Sequence, residues 1–319
     1  MAKSPVLRPR TAQDIDGRID RVLRGLGNPE PPLSLDQVRE LLKLDRAFYT
    51  ADDPTIVREV ISRIRVATIQ IAHRPMLLVD AIKKWSLQAL YVPDRRRILL
   101  DASLPAKTHR WNEAHEIGHS LIPWHDDVMH GDNRHTLRPQ CHEQIEAEAN
   151  FAAGRLLFLR ERFAAEARDL PPELSSVQSL HAAFGNTLSS TLWRFVETIG
   201  VDRPVVGLIT SHPHVSRRPH DFNVAAACRH CIQSAEFAAR FSLISEQTLF
   251  SRVASYCGAQ SGGRLGAADV ILSDDNGVQH VFSFETFFIR YKPPALGEAL
   301  TLGVYSRPRE ALVGPAVHI

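Results

Sequence analysis

Two histidines four residues apart, with a glutamate directly after the first, stand out in this 319-residue chain as residues whose types and spacing can do chemistry: His115-Glu116-Ile117-Gly118-His119. On an α-helix, residues four apart lie one turn above one another on one face, so both imidazoles can reach a single ion. The glutamate flanks that line, where its carboxylate can take a proton from a metal-activated water. Imidazole donors with an adjacent base point to Zn2+, with another divalent metal such as Mn2+ as the alternative.

A catalytic zinc site usually takes three protein ligands and keeps one position for water, so a third donor belongs downstream. The next helical segment offers Glu143, Glu146 and Glu148. Glu148 falls about 200° around the helix from Glu146, whereas Glu146 and Asn150 share a face bordering an apolar stripe. Glu146 is therefore the better ligand candidate, and Asn150 suits a hydrogen bond to a ligand's outer nitrogen or to a carboxylate. A group that stabilises a tetrahedral oxyanion would come from His125, His130, Arg134, His135 or His142 in the connecting stretch, and the sequence does not choose among them. Cys141 sits close to the third ligand, where a thiolate latch on the metal competes with the simpler reading of a buried thiol.

Three stretches together resemble the ImmA/IrrE metallopeptidases over about residues 55–200. They are residues 97–101, the run Trp111-Asn112-Glu113-Ala114-His115-Glu116-Ile117-Gly118-His119, and Glu146-Ala147-Glu148-Ala149-Asn150-Phe151-Ala152-Ala153. The resemblance implies His115, His119 and Glu146 as zinc ligands and Glu116 as the base. It also implies hydrolysis of a peptide bond in a partner protein, often a helix-turn-helix repressor, and a part in transcription regulation and stress response. Leu157-Phe158-Leu159 stands where that family often has Leu-Met-Pro, a departure that removes no ligand. Two other readings compete. A non-catalytic regulator would use the zinc structurally and bind a repressor or DNA directly, a reading against which Glu116 speaks. A hydrolase of a non-protein amide would use the same ligands.

The elements that must position these residues read as an α+β chain. A mainly helical zincin-like domain with a small antiparallel sheet is expected over 53–170 and a helix-turn-helix-like helical segment over 171–203. A separate C-terminal α+β domain of unread role follows over 204–319, and an N-terminal arm with a short helix capped by Ser34 precedes them over 1–52. Helical spacing covers 53–84, and β-prone runs at 89–92 and 97–101 flank a Pro93-Asp94 turn. The second of these runs is a candidate to hold extended substrate by strand addition. The motif helix should end at Pro123, and a second long helix should cover 143–167. Beyond Pro204 the pattern predicts a strand at 205–209, a helix over 225–241, and a hairpin around Asn276-Gly277 whose second strand holds the Phe282 to Phe288 run as core.

Bulk properties exclude several classes. The 38 basic and 36 acidic residues are interspersed and leave a net charge of +2, so no polybasic arm declares a nucleic acid. The second helix of the helix-turn-helix-like segment offers only Arg194 against Glu197, which also argues against direct DNA binding. No signal-peptide-like or membrane-spanning apolar run occurs, so the cytoplasm is the expected location, and the oligomeric state stays unread. Four cysteines do not make a disulfide framework. Cys228 and Cys231 have the spacing of half a structural zinc site with no second pair to complete it.

Overall fold

The opening helix shows how the sequence builds the first layer. In α1 (Pro9–Gly25), Ile15, Ile19 and Val22 fall on one stripe and are buried. The structure, a computed structural model, describes residues 7–49, 89–92, 96–102, 106–125, 139–218, 220, 222–291 and 297–308. The helices expected over 53–84 lie outside the described residues, as do His130, Arg134 and His135. Two compact units emerge: Met1–Arg162 with Ala183–Asn186, and Phe163–Ala182 with Thr187–Ile319.

In the first unit, α2 (Leu35–Leu42) starts at Ser34, whose Oγ accepts from the Gln37 backbone N–H. The strands β1 (Asp45–Tyr49), β2 (Ala89–Val92) and β3 (Arg97–Asp101) form a sheet ordered β1-β3-β2. Then come α3 (Ala106–Leu121) and α4 (Pro139–Leu157). The β2–β3 pair is antiparallel as expected, but β1 adds in parallel to β3, so the sheet is mixed. The N-terminal stretch is thus not a loose arm. Its helix α1 packs on α4, where Arg155 Nε lies 3.0 Å from the Asp16 carboxylate, and β1 supplies a third of the sheet. Sequence periodicity cannot reveal this, because a parallel pairing across fifty residues leaves no local signal.

The second long helix is also shorter than expected. The chain leaves helical geometry after Leu157, passes Leu159 and Arg160 with φ of 50° and 49°, and resumes as α5 (Glu161–Arg168). The apolar pattern runs straight through the break, since Phe158, Leu159 and Phe163 are all buried, and so conceals it.

In the second unit, α6 (Leu174–Phe184) and α7 (Leu188–Ile199) are the expected helix pair, and α7 is capped by Thr187. A five-stranded antiparallel sheet follows, ordered β5-β4-β8-β7-β6. Its strands are β4 (Val205–Thr210), β5 (Cys228–Gln233), β6 (Gly263–Ser273), β7 (Gln279–Ile289) and β8 (Glu298–Pro308). All six residues of β4 are buried because α7 covers one face, while Val206 and Leu208 enter the core on the other. That core joins Phe282 and Phe284 of β7 to α8 (Ala235–Arg240) and α9 (Glu246–Tyr256).

The helix expected over 225–241 is a misreading. Its middle pairs with β4 as β5, and a helix begins only where Ser234 Oγ accepts from the Phe237 backbone N–H. A bulge at Arg229 turns Cys228 and Cys231 toward the same core, where burial pushes both thiols up to about 12.

A buried charge cluster ties the first unit's early elements to α3. Glu113, 4% exposed, accepts from Arg39 Nε of α2 at 2.6 Å and from Arg46 Nη1 of β1 at 3.0 Å. Removing one member of a buried ion pair strands the other, at a cost of about 3 kcal/mol or more. Glu113→Ala should therefore lower the unfolding free energy, read from the urea midpoint, by about 3 kcal/mol. Asp36→Ala, which removes an exposed carboxylate from the same cluster, should change it by less than about 1 kcal/mol. Equal effects from the two variants would show that the cluster has no buried centre.

Candidate metal centre

The site is made where α3 and α4 come together. Gly118 lies against α4, and a Cβ built there would stand 2.9 Å from the Ala149 carbonyl oxygen and 3.1 Å from Ala152 Cβ. Glycine on one helix and alanines on the other let the two backbones approach, and Ala114, Ile117, Ala149, Ala152 and Ala153 seal the seam. The helix α3 stops before Pro123, as the proline requires.

That approach brings His115, His119 and Glu146 together. His119 Nε2 is 3.1 Å from His115 Nε2, Glu146 Oε2 is 3.2 Å from His115 Nε2, and Glu146 Oε1 is 3.7 Å from His119 Nε2. Two donors each bonded to a tetrahedral zinc at 2.0–2.1 Å stand about 3.3 Å apart. The three separations bracket that value, so the donor set fits the ion in both chemistry and spacing. It is the only His, Cys, Asp or Glu group of this kind among the described residues. The Cys228 and Cys231 pair forms no such group.

Glu116 is 5% exposed. Burial raises its pKa to about 7, with the Glu146 charge adding to the rise while His115 and the Tyr91 backbone N–H of β2 oppose it. For His115, burial disfavours the cation, but the Glu146 hydrogen bond and the charges of Glu116 and Glu146 outweigh it and raise the pKa. Tyr49, the last residue of β1, is buried near Asp101 and Glu116, and burial with those two charges pushes its phenol up to about 12.

Outside the triangle, Asn150 Oδ1 is 3.1 Å from His115 Nδ1. His125 is fully buried, with Nδ1 2.9 Å from His119 Nδ1 and Nε2 3.0 Å from Glu148 Oε2. It therefore meets the side of His119 opposite the donor triangle, which removes it from the candidates for stabilising an oxyanion. Glu148 is 4% exposed and also accepts from Trp124 Nε1 at 2.6 Å and Gln144 Nε2 at 2.7 Å, while Glu143 is exposed at the start of α4. The side chains of Cys141 and His142 lie outside what is described. Sequence reasoning placed Glu148 off the metal face but missed that a carboxylate next to an alanine stripe must find buried donors. Tyr49 and Tyr91 gave no sequence signal.

Strand β3 is flanked by β1 and β2, so its edges are already paired and it cannot take an added strand. Among the described residues β2 is the sheet edge beside Glu116.

Two histidines and one carboxylate from a helix pair thus form a donor set that could hold a metal ion. Residues 63–195 match the sequence model of the Peptidase_M78 family, described as the IrrE N-terminal-like domain, which agrees with the resemblance to the ImmA/IrrE family over this segment. A solved Mycobacterium tuberculosis transcriptional regulator is similar in fold, with a TM-score of 0.52 at 12% identity, covering 93% of this chain and 78% of that one. Comparison with curated proteins gave no match. No helix among the described residues is long and apolar enough to cross a membrane.

Substitution in the helix seam and pH each test this geometry. Gly118→Val forces α3 and α4 apart, and it should weaken zinc binding by more than tenfold in a chelator competition. Wild-type affinity in a folded Gly118→Val variant would show that the close approach does not set the site. The second concerns pH in the metal-free protein. With its pKa raised from 4.5 to about 7, Glu116 keeps a proton in the folded state that the unfolded chain has released. Stability should therefore fall as pH rises from 4.5 toward 7, by an amount of the order of 3 kcal/mol. Unfolding of Glu116→Gln, compared with wild type at each pH, should lack that component. Parallel curves would contradict the burial of Glu116.

Proposed function

We propose that this protein is a zinc-dependent endopeptidase that hydrolyses a peptide bond in a partner protein, such as a helix-turn-helix repressor. The observation that carries the reading is Glu116, a buried carboxylate with a pKa near 7 beside a three-donor set. Structural zinc sites are closed by four protein ligands and have no use for a base, whereas catalytic sites keep three ligands and an open position. His115, His119 and Glu146 would hold the ion. When bound, zinc supplies Lewis acidity, polarising the scissile carbonyl and lowering the pKa of a water.

The chain's own residues do the rest. A nearby cation lowers a carboxyl pKa, so Glu116 begins the reaction as the base, takes the water's proton and passes it to the leaving nitrogen. The Tyr91 backbone N–H holds the Glu116 carboxylate at the edge of β2. An extended peptide added along that edge would run past Glu116, which favours a peptide substrate over a small amide. The structural neighbour's description as a transcriptional regulator supports a regulatory setting for the reaction.

The test incubates purified protein and zinc with a helix-turn-helix repressor encoded beside it. Wild type should yield a discrete fragment, and Glu116→Gln should cleave at least about 100-fold more slowly while still binding zinc. Equal cleavage by both would sink the mechanism. Repressor binding by both without cleavage would favour the non-catalytic regulator.

A further inference from the structure

The buried groups behind His119 form a chain of hydrogen bonds that a carboxylate at its far end orders in one direction. The indole Nε1–H of Trp124 can only donate, so Glu148 Oε2, 2.6 Å away, is an acceptor. Its other oxygen accepts from Gln144 Nε2 at 2.7 Å. Glu148 as a carboxylate accepts all three contacts, and the one of 3.0 Å to His125 is then made by a proton on His125 Nε2. A neutral His125 then carries its lone pair on Nδ1, 2.9 Å from His119 Nδ1. The proton between those two nitrogens belongs to His119. Its Nε2 is thereby left bare, and Nε2 is the atom that faces His115 and Glu146.

On the second ligand, Asn150 Oδ1 lies 3.1 Å from His115 Nδ1, so an Nδ1–H satisfies the amide oxygen and assigns Nε2, 3.2 Å from Glu146 Oε2, as the nitrogen a metal ion would take in place of a proton. Neither His125 nor Glu148 can touch a substrate, since they are 0% and 4% exposed.

We propose that Glu148, Trp124 and His125 are positioning residues that lock His119 in its Nδ1–H tautomer and so hold its Nε2 open to the metal. The relay starts at a fixed charge, passes through one imidazole, and ends at a ligand lone pair. Metal-binding histidines commonly pass their outer N–H to a carboxylate or carbonyl, and loss of such a partner costs about 10- to 100-fold in metal affinity. Here the carboxylate acts one imidazole further away. The proposal rests on the zinc reading of the site.

The experiment measures zinc dissociation constants by chelator competition for the full chain and for His115→Ala, His125→Phe, His125→Gln and Glu148→Gln. Side-chain nitrogen NMR of the zinc-loaded wild type is recorded beside them. His125→Phe removes the acceptor from His119 and should weaken zinc binding about 10- to 100-fold. His125→Gln restores an acceptor oxygen and should recover part of the loss. Glu148→Gln, which keeps an acceptor and loses the charge, should fall between wild type and His125→Phe. The spectra should show the proton on Nδ1 of His119 and on Nε2 of His125. A proton on Nδ1 of His125, or wild-type affinity in His125→Phe, would overturn the relay while leaving the metal site intact. Absence of zinc binding by wild type, or indifference of binding to His115→Ala, would instead overturn the zinc reading itself. The wild-type spectra keep the test decisive even where a core variant fails to fold.

Discussion

The close approach of α3 and α4 at Gly118 is the constraint on which the candidate site depends. A metal site of this kind needs donors from two helices within about 3.3 Å of one another, and side chains as short as glutamate and histidine cannot bridge a wider gap. Gly118 against the Ala149 carbonyl, with Ala152 beside it, sets that spacing. Along the same seam, the Nε2 atoms of His115 and His119 stand 3.1 Å apart, with Glu146 Oε2 3.2 Å from the first and Glu146 Oε1 3.7 Å from the second. The seam is apolar and sealed, so the two helices have no slack with which to accommodate an extra methyl group.

Three buried carboxylates on these helices meet different partners, and their partners decide what each can do. Glu113 receives two guanidinium groups and joins α2 and β1 to α3. Glu148 receives an indole, an imidazole and an amide, and turns their geometry toward a ligand. Glu116 receives the Tyr91 backbone N–H and faces His115, too little to offset its burial, and its pKa rises to about 7. A carboxyl group whose charged form is costly at neutral pH has a proton affinity suited to acid–base work. The same helix thus carries a carboxylate paired with two guanidinium groups and one whose pKa burial raises, three residues apart and distinguished only by what surrounds them.

The parts of this arrangement that depend on spacing along one helix were legible in the sequence. His115, Glu116 and His119 follow from the four-residue turn, and the choice of Glu146 over Glu148 follows from the angle between them. What depends on partners distant in the chain was not. The N-terminal stretch reads as a loose arm because the parallel pairing of β1 with β3 and the burial of Ile15 and Ile19 involve residues far away. The strand β5 reads as part of a helix because its bulge at Arg229 breaks the two-residue alternation that would have identified it. The turn at Leu159 and Arg160 hides inside an unbroken apolar run. His125 looked like one of several loop histidines because nothing local signals that its Nδ1 meets His119.

The central claim is that two imidazoles and one carboxylate from α3 and α4 hold one zinc ion and leave a position open. X-ray absorption at the zinc edge of the loaded protein tests it most directly. The account predicts one zinc per chain with only nitrogen and oxygen neighbours at about 2.0–2.1 Å, two of them imidazoles, and an imidazole count that falls to one in His115→Ala. A sulfur shell near 2.3 Å, or a spectrum unchanged by His115→Ala, would place the metal elsewhere and contradict the account.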